Sequence, residues 1–482
     1  MLGASVLSTF GWILGLLSVA EVATALVAAR YQESEAVIGF AGSSLVCSFV
    51  ALGLIFGFRD RKIRLRRRHG LALVVLVWLG VPAFAALPFA ALMGGQGAGA
   101  AYFEAVSAFT TTGSTLATSV DALPRSLIFW RVLLAWSGGA MTIVFAVASL
   151  DRLRWETGEG LLIFSAGLAD PDRLLQAARE ILPLYALLTA LCFLGLLATG
   201  IPRFDAMSLA FSSLSTSGIM PREGDFSAYG SLGATALVTL FMAAGGAIFF
   251  ISRAITSRRR LRPEATAEVV TGGGVIVLVT AFVVFSLAIG GAAISEIDLA
   301  GSLFSVISLM STSGFFFSQS IAGNIPIPAI FVLIMVGGIY GSTAGGLKIS
   351  RVLYMLRDAR RELEHLVHPS AVVHNGDRAG AMESGRVVWT YFFAYLMIFS
   401  ILAIVTAYHG VDFEHSLIWS AAMVSNSGPT LAYLPLAEMD PLRLIASEKG
   451  GVLLYASVAT MVLGRIEVLA LLAILTPVFW RR

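Results

Sequence analysis

The sequence predicts an all-α protein that crosses a membrane many times. It has 482 residues, of which 57% are hydrophobic and only 13% are charged, and its mean hydropathy is +0.84. A soluble protein of this size would need far more polar surface. Long uncharged stretches, such as 71–91 and 181–201, have the length of membrane helices and are too long for barrel strands. The apolar excess is therefore expected to face lipid.

Two transmembrane helices are expected within residues 1–58. Two apolar stretches, about 6–29 and 36–58, are separated by the short polar turn 31–35. No basic residue precedes Arg30, which differs from the charged start of a cleaved signal peptide. We therefore expect the first stretch to remain as a permanent membrane helix.

Four similar pore-forming units are predicted to follow, over residues 71–150, 181–252, 266–361 and 386–482. Each contains a long apolar stretch, a shorter helical stretch, a small polar loop and a second long apolar stretch. The shorter helices are expected near 102–109, 205–214, 298–310 and 414–424. An acidic residue at or near the start of each one is expected to cap the helix, with a secondary role in attracting cations. These residues are Glu104, Asp205, Asp298 and Glu414.

Each polar loop is a run of Ser, Thr or Asn closed by a glycine. The four glycines are Gly113, Gly218, Gly314 and Gly428, and they lie roughly a hundred residues apart. Such a period favours one structural unit used four times. Four loops around one axis can present backbone carbonyls that replace the water shell of a cation, and glycine tolerates the backbone geometry that this requires.

Basic residues cluster in alternate loops, at 59–68, 152–179, 253–262 and 348–361. Loops rich in Lys and Arg stay on the cytoplasmic side of a membrane. The sequence therefore predicts a cytoplasmic N-terminus and glycine loops that face outward. The same Arg runs could also form a docking surface for a cytosolic partner.

The chain resembles the Trk/Ktr/HKT superfamily of potassium and sodium transport proteins from about residue 71 to its end. Its two leading helices resemble the bacterial Trk branch. The stretches that carry the resemblance are 102–113, 129–131 with 136–139, 341–348 and 464–467. Each stretch alone is a weak signal, but together they are specific.

The resemblance implies a channel-like pore for K⁺ uptake, with K⁺ as the transported ion and no prosthetic group. It implies that a selectivity filter is lined by Thr111, Thr112, Gly113, Thr216, Ser217, Gly218, Thr312, Ser313, Gly314, Asn426, Ser427 and Gly428. In the family a serine at the first filter glycine favours Na⁺, so Gly113 points to K⁺. One glycine per loop predicts weak discrimination, with Na⁺ not strictly excluded.

A glycine-rich stretch at 337–346 is predicted to be a gate. Glycine at this density weakens a helix, and non-helical backbone at membrane depth is tolerated where it is buried in protein or lines water. We expect a loop that crosses the pore below the filter; close helix packing is the alternative. The family resemblance places Lys348 and Arg465 near the permeation path. The gate candidates are Gly337, Gly338, Gly341, Gly345, Gly346, Lys348 and Arg465.

The resemblance also implies a homodimer in a bacterial plasma (inner) membrane, resting on a cytosolic ring of nucleotide-binding regulatory subunits. Membrane lipid is the other expected partner, and nucleic acid is not expected. The sequence has no glycine-rich phosphate loop after a strand, so nucleotide control is expected to come from the ring.

Two departures from the family pattern affect expectations about gating and conductance. Gly218 is followed by Ile219 where the family commonly has a glycine pair, and 138–141 lacks a glycine that the family often keeps. A Na⁺-permeable or ion-coupled (Na⁺ or H⁺) symporter of the same fold is an alternative. So is a secondary transporter of another class, built from broken helices around a midplane site. An enzyme is not expected, because the six histidines do not combine with carboxylates in a recognisable spacing.

Overall fold

The computed structural model describes residues 4–58, 67–93, 97–149, 171–249, 251–252, 263–289, 295–339, 341–367, 378–433, 440–447 and 450–466. Within these ranges every regular element is a helix and there is no β-strand. Seven of the described helices are long and apolar enough to cross a membrane. The all-α membrane class predicted from the composition is therefore confirmed.

The first two helices, α1 (Ala4–Arg30) and α2 (Ser34–Phe58), form a helical hairpin. At the turn, Gln32 has a φ of 60°, and the Glu33 N–H donates to the Ala28 carbonyl at 3.0 Å. A left-handed residue followed by this long backbone bond is a common way to end a helix and reverse the chain.

Long and short helices alternate through the rest of the chain. Four short helices end at the glycine loops: α4 (Gly97–Phe109), α7 (Arg203–Ser215), α10 (Glu296–Met310) and α15 (Phe413–Val424). The other α-helices are α3 (Arg67–Leu92), α5 (Arg125–Ser149), α6 (Pro171–Ala198), α8 (Leu232–Gly245), α9 (Pro263–Ile289), α11 (Gln319–Ala322), α12 (Ile327–Val336), α13 (Ile349–Val367), α14 (Arg378–Tyr408), α16 (Pro441–Ala446) and α17 (Gly451–Arg465). Short 3₁₀ helices occupy Phe226–Tyr229 and Gly428–Tyr433.

In each of the four predicted units a long helix precedes the short helix, and further helix follows the glycine loop. The helices after the second and fourth loops, α8 and α17, are shorter than the long helices expected there, with 14 and 15 described residues. In the third unit the second long stretch is divided, because α12 ends at Val336 and α13 begins at Ile349. The unit boundaries themselves stay predictions. Most of the basic stretches 59–68, 152–179 and 253–262 lies outside the described residues, and the orientation of the chain in the membrane also stays a prediction.

Trp130 on α5 joins the hairpin to the rest of the molecule. Its side chain is fully buried, its ring meets the edge of Phe40 on α2 at 5.7 Å, and its Nε1 donates to the Ala85 carbonyl on α3 at 3.2 Å. Buried aromatic rings combine a large contact area with a directional polar group. One side chain thus ties together three helices.

The turn of the hairpin also caps α5. The Glu33 carboxylate accepts hydrogen bonds from the backbone N–H groups of Arg125 and Ser126, at 2.7 and 3.1 Å. A negative charge at a helix N-terminus satisfies free N–H groups and complements the helix dipole. The Arg125 guanidinium lies over the Tyr31 ring at 4.8 Å, which adds a cation–π contact.

Trp130→Ala is expected to lower the free energy of unfolding by about 3–5 kcal/mol, because it leaves a cavity between three helices. The thermal unfolding midpoint of the purified protein in detergent measures this. Trp12→Ala is the matched control, since Trp12 is 64% exposed on the outer surface of α1. Equal shifts for the two variants would contradict the role given to Trp130.

Candidate ion-conduction site

The four glycine loops lie against one another. A Cβ atom added at Gly113 would overlap the carbonyl oxygen of Ser217, and one added at Gly218 would overlap the carbonyl oxygen of Ser313. The first loop therefore touches the second, and the second touches the third. In both contacts the missing side chain makes room for the neighbouring backbone.

The remaining two contacts close the cycle. A Cβ atom at Gly314 would lie 3.1 Å from Ser427 Oγ, so the third loop touches the fourth. The Gly428 N–H donates to the Thr112 carbonyl at 2.7 Å, and a Cβ at Gly428 would overlap Ser114 Oγ. The fourth loop thus returns to the first, and the four predicted motifs form one closed ring of contacts.

The loops share one backbone shape. The residue two positions before each glycine has a positive φ, although positive φ is uncommon for branched side chains. The values are 61° at Thr111, 54° at Thr216, 56° at Thr312 and 56° at Asn426. After α7, α10 and α15, the residue that follows the left-handed one forms a backbone hydrogen bond back to the last turn of the helix. Ser217, Ser313 and Ser427 donate their N–H groups to the carbonyls of Ser212, Ser308 and Ala422, at 3.1, 2.9 and 2.8 Å.

Hydroxyl and amide groups brace the loops, either within one loop or between two neighbouring loops. In the first loop Ser107 Oγ donates to the Ser114 carbonyl at 2.7 Å, and in the third Ser308 Oγ donates to the Phe315 carbonyl at 3.0 Å. In the fourth loop the Asn426 Nδ2 donates to Thr112 Oγ1 at 3.0 Å. These side-chain hydrogen bonds therefore hold the loop backbones in their observed conformation.

Glycines on three long helices allow those helices to press against the ends of the short helices. A Cβ at Gly138 would overlap the Phe109 carbonyl, and one at Gly464 would overlap the Val424 carbonyl. Gly245 approaches the Leu214 carbonyl in the same way, with 2.5 Å between its Cβ position and the oxygen. Each contacted residue precedes its loop glycine by four positions.

A buried ion pair supports the first loop from behind. Glu104 Oε2 lies 3.2 Å from Arg131 Nε, and both side chains are almost fully buried. Glu104 Oε1 accepts from the Leu116 N–H and the Thr115 hydroxyl at 2.5 and 2.8 Å, and Arg131 Nη2 lies 3.4 Å from the Gly113 carbonyl oxygen. A buried charge is stable only when it is paired and hydrogen-bonded, as these two are.

This pair corrects the expectation for Glu104. The sequence placed it near the start of its helix, but α4 begins at Gly97, so Glu104 lies in the middle and does not cap it. Asp298 does cap its helix, in a reciprocal pair with Ser295 whose hydrogen bonds hold the pKa of the Asp298 carboxyl below its usual value. Asp205 and Glu414 lie in the first turns of their helices, where Asp205 pairs with Arg222 at 2.6 Å.

The predicted gate stretch is a compact loop between α12 and α13. Backbone bonds of 2.9 Å from Leu347 and Lys348 to the Met335 and Val336 carbonyls close its base. Gly346 packs on Gly337 there, with 2.9 Å between the Cβ position of Gly346 and Gly337 Cα. Side chains at Gly338 and Gly341 would collide with Ala344 and Phe249, at 2.6 and 2.7 Å.

The tip of this loop contacts three of the four glycine loops. Thr343 Oγ1 lies 3.1 Å from Thr216 Oγ1 in the second loop, and the Gly345 N–H donates to Thr312 Oγ1 in the third at 2.7 Å. A Cβ at Gly345 would overlap the Ser425 carbonyl, which precedes the fourth. The loop therefore lies directly against the ring.

Two basic residues hold the loop. Arg465 Nη2 donates to the Thr343 carbonyl at 2.6 Å, and its Nε donates to Thr142 Oγ1 on α5 at 3.0 Å. Lys348 Nζ donates to the Ala344 carbonyl and to Ser342 Oγ. Both predicted basic residues thus bind the loop itself. Glu467, a possible partner of Arg465 in the sequence, lies outside the described residues.

The structure brings the residues of the predicted filter and gate into one region, together with three residues to which the sequence assigned no role. Thr343 bridges the loop to the ring, and Arg131 reaches the first loop from behind. Pro429, directly after the fourth motif, lies 3.4 and 3.1 Å from the Cβ positions of Gly113 and Gly218. Arg131 and Thr343 lie in stretches that carry the family resemblance, but nothing in the local sequence identifies the groups that they contact.

Within the described part of the chain, no three His, Cys, Asp or Glu side chains are arranged to hold a metal ion. The polar groups that do converge are backbone carbonyls, hydroxyls and amides, which suit an alkali cation rather than a tightly held transition metal.

Comparisons with known proteins agree with a transport role. The model of the TrkH family, described as a cation transport protein, matches residues 39–417. The Trk system potassium uptake protein TrkH of Salmonella typhimurium is 30% identical, over 98% of each chain. The protein of that name from Halomonas elongata is 29% identical, over 90% of this chain and 92% of its own. The crystal structure of the potassium transporter TrkH from Vibrio parahaemolyticus is similar, with a TM-score of 0.83, 26% identity and 99% of each chain covered. This chain belongs to the TrkH family of cation transport proteins.

Proposed function

We propose that this protein carries K⁺ into the cell through a pore at the centre of the four glycine loops. The observation that carries the proposal is the closed cycle of contacts in which each loop touches the next and the fourth returns to the first. A cation on the axis of such a cycle meets backbone oxygens from four directions, which replace its hydration shell. The C-terminal ends of four short helices add a favourable negative potential.

The choice of K⁺ is supported by the names of similar proteins. The Salmonella and Halomonas relatives are potassium uptake proteins, and the Vibrio structure is that of a potassium transporter. Each loop of this chain has one glycine in its motif, so we propose few fixed layers of carbonyls and only moderate exclusion of Na⁺.

The loop at 337–346 is proposed as the gate. It lies against three of the four glycine loops and is fastened by Arg465 and Lys348. Glycine-rich backbone can rearrange at a low energetic cost, and the two charges provide anchors that an opening motion must release. Arg465 and Lys348 also place positive charge beside the path, which would slow cations while the gate is closed.

The assembly is proposed from the family resemblance and the charge pattern. We propose a homodimer in the bacterial inner membrane, with its N-terminus in the cytoplasm and a ring of nucleotide-binding subunits on the cytosolic side. The basic stretches 59–68 and 348–361 are consistent with this orientation.

Ion flux through the purified protein in liposomes tests the proposed function. We expect the reversal potential to follow the K⁺ gradient closely and the Na⁺ gradient more weakly. Flux that requires a gradient of H⁺ or Na⁺ would favour a coupled symporter of the same fold. A reversal potential insensitive to external K⁺ would contradict the proposal.

Gly113→Ala should lower K⁺ flux about tenfold or more, because its methyl group would push the Ser217 carbonyl out of the ring and an added barrier of about 1.4 kcal/mol already gives that factor. Gly97→Ala is the matched control. Gly97 also has a positive φ, 76° against 81° at Gly113, but its Cβ would meet open space. Equal flux through the two variants at equal protein amounts would argue against the ring as the conduction site.

Thr343→Val should raise K⁺ flux, because valine keeps the shape of threonine but removes the hydroxyl that lies 3.1 Å from Thr216 Oγ1 and from the Gly245 carbonyl. Shortening the loop 337–346 should raise flux further. Thr239→Val serves as control, since that hydroxyl bonds only within its own helix, to Thr235 at 2.7 Å. Normal folding with unchanged flux in Thr343→Val and in the shortened loop would mean that the loop is not a gate.

A further inference from the structure

Glu21 is a carboxyl group within a membrane helix, nearer to the C-terminal end of that helix. It lies about 25 Å along α1 from its first residue and about 13 Å from its last, at 1.5 Å per residue. A bilayer core is about 30 Å thick, so Glu21 is well inside the hydrocarbon layer. Its side chain is nevertheless fully buried in protein, against α2. A titratable group at this depth is energetically costly, and such groups are usually paired with another group or have a function.

The two oxygens of Glu21 differ in their surroundings. Oε1 accepts a hydrogen bond from Ser43 Oγ on α2 at 2.6 Å. Oε2 is buried and has no hydrogen-bond partner among the described residues. A carboxylate needs several donors when it is removed from water, and one hydroxyl does not meet that need.

The other polar groups between α1 and α2 bond to one another. Ser18 Oγ lies 2.6 Å from Ser48 Oγ and 3.1 Å from Ser44 Oγ, and Ser44 Oγ donates to the Ser18 carbonyl. The Cys47 thiol donates to the Leu14 carbonyl at 3.3 Å. These donors are engaged, so they do not stabilise a negative charge on Glu21.

Among the described side chains, no positive charge pairs with Glu21. The helices packed against α1 are α2, α3 and α5. Their titratable residues are Glu35, Cys47, Arg67, Arg68, His69, Arg125 and Arg131, and Arg67 and Arg68 begin α3 directly before His69. Arg131 pairs with Glu104, and Arg125 lies over the Tyr31 ring. His69 is in the first turn of α3, level with the start of α1 and far from Glu21 along the helix axis. Ser43 is the hydrogen-bond partner that the described residues provide for Glu21, and no described basic side chain forms an ion pair with it.

We propose that Glu21 is a proton-binding site within the membrane, whose carboxyl group holds a proton on Oε2 at neutral pH while Oε1 accepts the Ser43 hydrogen bond. The proton is taken from water and returned to it, and no other bond changes. An alkali ion does not fit this site, because it needs a shell of several free oxygens and only Oε2 is free. Loss of the proton leaves an uncompensated charge between α1 and α2 and weakens the packing of the hairpin.

Infrared spectroscopy of the full-length protein in lipid nanodiscs tests this site. The difference spectrum between the wild type and Glu21→Gln at neutral pH should contain the C=O band of a protonated carboxylic acid. Glu35→Gln is the matched control, because Glu35 is an exposed carboxyl in the same hairpin, and its difference spectrum should contain carboxylate bands only. A pure carboxylate signal for Glu21 would overturn the proposal.

The pH dependence of thermal unfolding provides a second test of this site that does not depend on ion flux. A carboxyl that keeps its proton when folded and ionises when the chain unfolds makes folding less favourable as pH rises. The melting temperature of the wild type should therefore fall from acid to alkaline pH relative to Glu21→Gln, and Glu35→Gln should follow the wild type. If Glu21→Gln does not accumulate, Glu21→Met supplies the uncharged reference. Parallel pH profiles for the wild type and the uncharged variant would also overturn the proposal.

Discussion

The contact between each loop glycine and the backbone of the next loop is the constraint on which the rest of the structure depends. Three of these contacts leave no space for a single methyl group, at Gly113 against Ser217, at Gly218 against Ser313 and at Gly428 against Ser114. The four loops can approach so closely only because the short helices end alike, with a left-handed residue at the same position of each motif. Long helices are drawn in by the same means, since Gly138 and Gly464 remove the side chains that would keep α5 and α17 away from the short helices. Glycines therefore allow both the surrounding helices and the neighbouring loops to pack closely enough to form the polar ring.

The supports of this ring are unequal, although its loops are alike. The first loop has a buried ion pair, Glu104 with Arg131, behind it, and the hairpin reinforces the same region through Trp130. The second, third and fourth loops are the ones that the glycine-rich segment touches, through Thr343 and Gly345. The first loop is therefore fixed by an ion pair and aromatic packing, whereas the other three loops contact the glycine-rich segment, which has little regular structure. A gate that acts on three loops and leaves one fixed is consistent with this asymmetry.

Sequence reasoning recovered the helical membrane class, the four motifs and the loop between α12 and α13, because these depend on local features: long apolar runs, small polar residues before a glycine, and dense glycine. It failed where a residue acts through a distant partner. The sequence places Glu104 near a helix start because Gly97 and Gly99 weaken the helical pattern before it. The contacts of Arg131 and Thr343 have no local signal, since their partners lie 27 and 127 residues away in the chain, at Glu104 and Thr216. Long-range pairing is set by packing, which a single sequence does not display.

The central claim is that an alkali cation is dehydrated on the axis of the four glycine loops. Anomalous scattering from crystals grown in Rb⁺, a heavier substitute for K⁺, measures the position of the ion directly. We expect a peak enclosed by the carbonyls next to Gly113, Gly218, Gly314 and Gly428, weakened by excess K⁺ and absent from Gly113→Ala. An empty ring in a protein that conducts Rb⁺, with the ion bound elsewhere, would contradict it.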